Sequence, residues 1–134
     1  MSDPSLELQA SVVAALKTSG ALPAGVGGRV YDRVPEAAAF PYVSLGPCQV
    51  LPDKAGCIDG AEVMLQIDAW SRAVGFPEVK GIAKAIVAKL DDQPLSIEDH
   101  DVVVFEHQET RYLRDPDGLT QHAALTFRAV TTPT

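Results

Sequence analysis

The sequence has few cysteines, no cluster of basic residues and no long apolar run. Its two cysteines, Cys48 and Cys57, are too few for a disulfide framework and fit reduced thiols. The longest apolar stretches span only a few residues, far below the ~20 that cross a bilayer, so we expect no transmembrane helix. Acidic residues stand near the first methionine, where a signal peptide carries a basic start, so we expect a cytoplasmic protein.

Positive charge is also scarce. Eleven lysines and arginines stand against 18 aspartates and glutamates, which gives a net charge of −7. A protein that grips phosphate backbones needs the opposite balance, so we do not expect specific binding to nucleic acid. An acidic surface does let nucleic acid pass without sticking, because like charges repel.

The remaining composition is that of one soluble domain. The chain has 134 residues, of which 46% are hydrophobic and 22% charged. A chain of this size can bury roughly two-thirds of its unfolded surface, so it needs neither a metal nor disulfides to fold. We therefore expect a single domain over residues 1–134.

The first half of the chain predicts one helix and two short strands. Asp3 can cap a helix that begins at Pro4, and the helix is expected to stop by Gly20. Its apolar face is predicted from residues at helical spacing, namely Leu6, Ala10, Val13 and Leu16. Strands are expected around residues 30–31 and 42–45. Prolines, glycines and both cysteines then predict a long loop over residues 46–60.

The second half predicts a strand, a helix and a hairpin. Residues 61–71 alternate, with one set of side chains predicted to face the core, namely Val63, Leu65, Ile67 and Ala69. A helix with Pro77 in its first turn follows and is expected to end near Asp91 and Asp92. Residues 101–114 and 119–131 are predicted strands, and Asp115-Pro116-Asp117-Gly118 predicts the turn between them. Leu119, Ala123, Leu125, Phe127 and Ala129 are expected on one face of the second strand.

This order of elements predicts an α+β fold, a mostly antiparallel β-sheet with two helices packed on one face. The three histidines, His100, His107 and His122, lie on or beside the hairpin near several acids, so a histidine–carboxylate pair on a strand face is conceivable. No nucleophile motif accompanies them. The cysteines lack the paired spacing of a zinc site, so no metal, cofactor or catalytic residue is predicted.

One face of the strand over residues 61–71 is the best candidate for a protein contact. Met64 and Trp70 are large apolar groups among polar ones on the face that the helices leave free, a mixture typical of interfaces. Scattered exposure or a contact with the long loop is the alternative. The candidate interface also includes Asp53 and Lys54 from that loop and Arg111 and Arg114 beside the Asp-rich turn. A local charge balance is the simpler interpretation of the two arginines.

Three stretches together resemble a known family. The first is Gly28-Arg29-Val30-Tyr31-Asp32-Arg33-Val34-Pro35 with Phe40-Pro41-Tyr42-Val43. The second is Trp70-Ser71-Arg72, and the third is Leu113-Arg114-Asp115-Pro116-Asp117-Gly118 with Phe127-Arg128-Ala129. Their order and spacing are similar to those of small tail-completion proteins of long-tailed bacteriophages, prophages and gene transfer agents, long labelled a domain of unknown function. The resemblance covers nearly the whole chain.

The resemblance implies a structural protein with the fold of tail terminators. Such proteins form a hexameric ring on the head-proximal end of the tail tube, bind the major tail tube protein and present a surface for the head connector. DNA would pass through the ring without specific binding. Two other classes stay open at this point. One is a small enzyme or ligand-binding domain that uses the histidines and acids of the hairpin, and the other is a regulatory or chaperone-like binding module.

Overall fold

A computed structural model describes residues 3–53 and 60–134 of the chain. Along these residues two helices and six strands follow one another: α1 (Ser5–Leu16), β1 (Val30–Tyr31), β2 (Tyr42–Asp53), β3 (Gly60–Ser71), α2 (Pro77–Leu90), β4 (Ser96–Ile97), β5 (His100–Arg114) and β6 (Gln121–Pro133). No helix among them is long and apolar enough to cross a membrane.

The six strands form one sheet in the order β1-β2-β3-β6-β5-β4. Only β1 and β2 are parallel, and every other neighbouring pair is antiparallel. Both helices contribute buried side chains to one core against the same side of the sheet. The predicted α+β class and arrangement are confirmed.

The core lies between the helices and the two central strands. The four β3 residues that alternation assigned to the core are all buried, and the facing β6 residues Ala123, Leu125, Phe127 and Ala129 are fully inaccessible. From α2 the core receives Val79, Ile82, Ala83, Ile86 and Leu90. Apolar residues that repeat every two positions on the strands therefore pack against apolar residues that repeat about every 3.6 positions on the helix.

Helix α1 is confirmed, but its predicted apolar face is only partly right. Leu16 is buried and Val13 packs against the core, whereas Leu6 is 73% exposed and Ala10 is exposed. The buried residues of the helix are Leu8, Val12 and Leu16. The helix is apolar on several sides, so two stripes compete, and the stripe at an i, i+4 spacing carries the bulkier side chains. Asp3 accepts a hydrogen bond from the Ser5 N–H at 2.8 Å, as a residue at the helix start should.

The long loop predicted over residues 46–60 is also wrong in its first half. Strand β2 continues to Asp53, with a register shift between Leu45 and Cys48 that takes up Pro47. Beyond Ser44 the strand has no partner in β1, so it forms an edge on that side. A proline costs no ladder hydrogen bond at a bulge or an outward edge position, which is why this strand tolerates two of them. Residues 54–59, with Lys54 and Cys57, lie outside the described residues.

The predicted hairpin of β5 and β6 is confirmed, together with its turn. The Gly118 N–H donates to the Asp115 carbonyl at 2.9 Å, and Gly118 has a φ of 71°. That left-handed conformation is the one glycine adopts without strain. Leu119 is not on the core face as expected but 65% exposed, because β6 begins only at Gln121.

Candidate assembly surfaces

The sheet face opposite the helices, here called the outer face, carries the candidate residues Met64 and Trp70. Register places Met64 between Gln49 of β2 and Arg128 of β6, and Trp70 between Tyr42 and His122. Both side chains are half-buried. Because both helices pack on the other face, it is neighbouring residues of the sheet that cover part of these two side chains.

Trp70 has partners within the chain. Its indole Nε1 donates to the Ser44 hydroxyl at 2.9 Å. Its ring is stacked on His122, with centroids 3.9 Å apart, and lies beside Tyr42 at 6.4 Å. Burial raises the pKa of Tyr42 above its ordinary value. The indole of β3 therefore contacts side chains of both neighbouring strands, β2 and β6, within the subunit.

Asp68 forms a polar centre next to Trp70. It is almost fully buried, although it lies on the outer face. One carboxylate oxygen accepts from Gln66 Nε2 at 2.8 Å and lies 2.6 Å from His122 Nε2. A Cβ at Gly46 would lie 2.6 Å from the other carboxylate oxygen, so the backbone of β2 is pressed against this side chain. One oxygen of the buried acid thus has two hydrogen-bonding neighbours, which lowers the cost of its burial.

A second charged group crosses the outer face near Met64. Arg128 is paired with Glu62 through its Nε, and its other guanidinium nitrogen lies 3.3 Å from Glu106. The hydrogen bond to Glu62 raises the pKa of Arg128. This cation thus links β3, β6 and β5, and the outer face is polar at one end and aromatic at the other.

The two arginines of the predicted interface do not lie together. Arg111 is opposite Ala124 and therefore on the outer face, whereas Arg114 is opposite Gln121 on the helix face. The guanidinium of Arg114 stands over the Phe76 ring at 4.8 Å, a cation–π geometry. Of the loop residues, Asp53 ends β2 opposite Gly60. Lys54 lies outside the described residues, and the five candidates that are described are spread over both faces of the sheet and the end of β2.

Most residues of the three family-like stretches lie at one end of the sheet, here called the motif end, where β2 begins, β3 and β5 end and β6 begins. Phe127-Arg128-Ala129 is the exception and lies further along β6. Arg29 Nε donates to the Pro41 carbonyl at 3.0 Å, and this hydrogen bond links the two parts of the first stretch. Arg72, which belongs to the second stretch, contacts the first stretch and also Thr120, which follows the turn of the third stretch. Its guanidinium lies over the Phe40 ring at 4.2 Å and its Nε donates to Thr120 at 3.1 Å.

Asp117 completes this end of the sheet. Its carboxylate accepts the backbone N–H groups of Leu119 and Thr120 at 2.8 and 2.9 Å and lies 3.9 Å from the Arg72 guanidinium. The hydrogen bond from Leu119 is the main cause that lowers the pKa of Asp117. Interpretation of the sequence missed Arg72 as the partner of this turn. No local signal in the sequence connects Arg72 with this turn, because the two lie 45 positions apart.

The histidines occupy three separate surroundings. His100 Nδ1 lies 3.0 Å from the Glu98 carbonyl, and His107 Nε2 lies 2.7 Å from the Thr110 hydroxyl on the helix face. Among the described residues, only the imidazole of His122 contacts a carboxylate, that of Asp68, and the Ser44 hydroxyl beside that pair is bonded to Trp70. Within residues 3–53 and 60–134 no group of three metal-ligating side chains comes together. The contacts of the three histidines are those of strand pairing and side-chain packing.

Comparison with known proteins agrees with this geometry. A family model described as tail completion protein gp17 matches residues 10–132. A chain in the structure of the virion of a native gene transfer agent particle is 28% identical, with a TM-score of 0.90, and the match covers 98% of this chain and 99% of that one.

A second solved structure, that of the bacteriophage SPP1 gp17 protein, is 21% identical with a TM-score of 0.63. That match covers 93% of this chain and 88% of the phage protein, and it is a likeness of fold. No curated protein sequence matches this chain.

Proposed function

Because the chain belongs to the tail completion protein gp17 family, we propose that it forms a closed homo-hexameric ring that ends a phage-like tail tube. The ring caps the head-proximal end of the tube and joins it to the head connector. In this role the chain has two protein partners besides its own copies, the major tail tube protein and the connector protein. It assembles in the cytoplasm and then becomes part of the particle.

The observation that carries this proposal is the match to the chain of the gene transfer agent virion. It extends over 98% of this chain and 99% of that one. The match includes the helices, the sheet and the motif end. A structural role in a particle therefore suits the whole of the described chain.

A tube that grows by adding rings needs a physical stop. Stacked rings dock through two different surfaces, and such contacts continue until one end offers no further docking surface. A terminator must therefore bind the tube on one side and reject tube subunits on the other. The motif end and the opposite end of this sheet are chemically different, because aromatic and cation–π contacts concentrate at the first.

The charge of the chain suits a conduit for DNA. With a net charge of −7 the ring would carry six times that charge, and repulsion of phosphates would keep the passing duplex from sticking. Arg128, on the outer face, is paired with Glu62 and Glu106. This cation is neutralised within the chain.

The test is to locate the chain in its particle. An affinity tag is added at the N-terminus of the chain, and purified particles are labelled with gold particles against the tag and viewed by electron microscopy. We expect one label cluster at the junction of head and tail, and six-fold averages of that region. Labels along the whole tube, or at the end far from the head, would contradict the proposal. Untagged particles are the control.

A further inference from the structure

Each edge of the sheet is covered over only half its length. On one side β1 pairs with β2 at Val43 and Ser44, and the Val43 N–H donates to the Arg29 carbonyl at 2.9 Å. From Leu45 to Asp53 no described residue pairs with that side of β2. This second half of β2 is a free edge.

The other edge, β5, is covered in its first half. Ser96 and Ile97 of β4 pair with its first two residues. The segment after α2 continues the cover: the Asp92 N–H donates to the Phe105 carbonyl at 3.0 Å, and the His107 N–H donates to the Asp91 carboxylate at 2.8 Å. From Gln108 to Arg114 no cover is present among the described residues, and six of these seven residues are exposed. The second half of β5 is a free edge too.

We propose that the free half of β5 pairs with the free half of β2 in the next copy of this chain, so that the sheets of neighbouring subunits are continuous. The inference rests on the proposed ring and specifies its interface. Six such contacts in a closed ring would leave no free edge, which is how barrels solve the problem of exposed strand edges.

Strand direction supports this pairing. Three antiparallel steps separate β2 from β5 across the sheet, so the two strands run in opposite directions within one subunit. In a ring, all copies of β2 run in the same direction relative to the ring axis. The β2 of the next copy therefore lies beside β5 and runs opposite to it. The new pair is therefore antiparallel. It joins two different edges, which is the kind of contact that closes a ring rather than a dimer.

The offset between the two free halves also fits a closed ring. Arg111, at the middle of the free half of β5, lies in one row with Ala124, Asp68 and Ser44. Gln49, at the middle of the free half of β2, lies opposite Met64, four residues before Asp68 in β3. That shift is ~13 Å, and four strands are ~19 Å wide, so strands would tilt by about 35° from the ring axis. Closed barrels have tilts of about 35–45°.

An apolar groove lies beside one free edge, and a partly exposed aromatic ring lies on the other. Beside the free half of β2 runs an apolar groove between that strand and α1, lined by Leu6, Leu8, Val12, Leu45, Cys48 and Leu65. Tyr112 lies on the helix face of β5 and is 38% exposed. In a continuous sheet the helix face of β5 continues into the helix face of the next β2. The Tyr112 ring of one copy then covers the groove of its neighbour, together with the exposed Leu6.

The length of the contact is limited by proline. Pro47 and Pro52 lack the N–H that a strand partner needs, and they bracket the residues Cys48–Leu51. A contact of about four residues is strong enough only when neighbours on both sides reinforce it, as in a ring. The same limit protects the free chain from uncontrolled strand pairing.

Cysteine cross-linking in purified tails tests this interface. Cys48 is exposed and lies on the helix face of β2, opposite Leu65. Partial desolvation by neighbouring residues raises the pKa of the Cys48 thiol, so oxidation is performed at alkaline pH. Thr110→Cys and Tyr112→Cys are introduced singly, with Cys57→Ser in every variant. Arg111→Cys and Leu113→Cys, on the outer face of the same strand, are matched controls.

We expect a ladder of disulfide-linked multimers, up to the full ring, from at least one of the two helix-face variants. The ladder should vanish when Cys48→Ser is added, and the outer-face controls should give none. Tails that contain a ring but show no ladder, or equal ladders from both faces, would overturn the edge pairing and leave the ring intact. Tails without any ring of this chain would overturn the proposed function instead.

Discussion

Trp70 and His122 lie face to face across β3 and β6, with ring centroids 3.9 Å apart and planes inclined by only 7°. The same indole donates to Ser44 on β2, and the same imidazole contacts the buried Asp68. Trp70 therefore holds three strands together at the motif end. Its first role is within the subunit, whatever contact its exposed edge makes in an assembly.

Replacing Trp70 should accordingly change stability before it changes assembly. Trp70→Ala removes the stack and the hydrogen bond, and we expect a loss of about 2 kcal/mol in the free energy of unfolding, since the side chain is half-buried. Trp70→Phe keeps a stacking ring and loses only the bond to Ser44, for a loss of about 1 kcal/mol. Urea unfolding followed by circular dichroism measures both.

An unchanged midpoint for Trp70→Ala, with ring assembly lost, would show instead that the indole acts only between subunits. Met64→Ala is a useful comparison because Met64 lies on the same strand and face. No hydrogen bond to another described residue holds its side chain. We expect it to cost less stability than Trp70→Ala.

Gly46 should not tolerate a side chain. A Cβ there would lie 2.6 Å from an Asp68 carboxylate oxygen and 3.1 Å from Gln66, so Gly46→Ala must displace a buried acid. We expect a loss of about 1–3 kcal/mol in the free energy of unfolding, as for other overpacked sites. Thermal unfolding of the purified chain measures it.

The matched control is Gly81→Ala. Gly81 lies inside α2 and a Cβ there would meet nothing within 4 Å. Because alanine favours a helix over glycine, this change should stabilise the chain by about 0.5–1 kcal/mol. Equal effects of the two substitutions would contradict the close approach of β2 to Asp68.

Asp117 should make the stability of the chain depend on acid pH. Its pKa is lowered in the folded state, chiefly by the hydrogen bond from the Leu119 N–H. The stabilisation is complete above the unfolded pKa of about 3.9 and is lost as the pH falls through the folded value. We therefore expect Asp117→Ala to be less stable than the parent at pH 7. The difference should shrink between about pH 5 and pH 2. If the difference in stability between the variant and the parent stayed constant over this pH range, the Asp117 carboxylate would not be its cause.

The chain should bind duplex DNA weakly. Its net charge is −7, and Arg72 and Arg128 are engaged with acids of the same chain. Titration of labelled duplex should show no saturable binding, even at low salt, where phosphate contacts are strongest. Tight binding that weakens steeply with salt would reveal a basic surface and would contradict the acidic conduit.

Where one period dominated, the sequence predicted the structure correctly. The alternation of β3 has apolar residues throughout one face, while the other face is polar except for Met64 and Trp70, and this contrast identified its core side. The Asp115–Gly118 turn is specified by proline and glycine. In α1 the predicted face was only half right, because alanines and valines surround the helix and the choice between Leu6 and Leu8 depends on tertiary packing.

Prolines misled the prediction for β2 in another way. Pro47 and Pro52 indicated a loop, but a strand edge accepts them, and only the order of the strands shows that β2 is an edge beyond Ser44. The pairing of Arg72 with Asp117 spans 45 positions of the sequence and had no local signal. The family resemblance, by contrast, is confirmed by the match over residues 10–132, because it rested on the order of several motifs.

The most direct measurement of the central claim is the phenotype of particles that lack this chain. Its gene is deleted from the parent particle, a plasmid copy serves as the control, and the products are viewed by electron microscopy. The account predicts DNA-filled heads without attached tails, together with tails of abnormal length. Tails of normal length with unattached heads would support a connector role instead. Normal, infectious particles in the deletion strain would contradict the account.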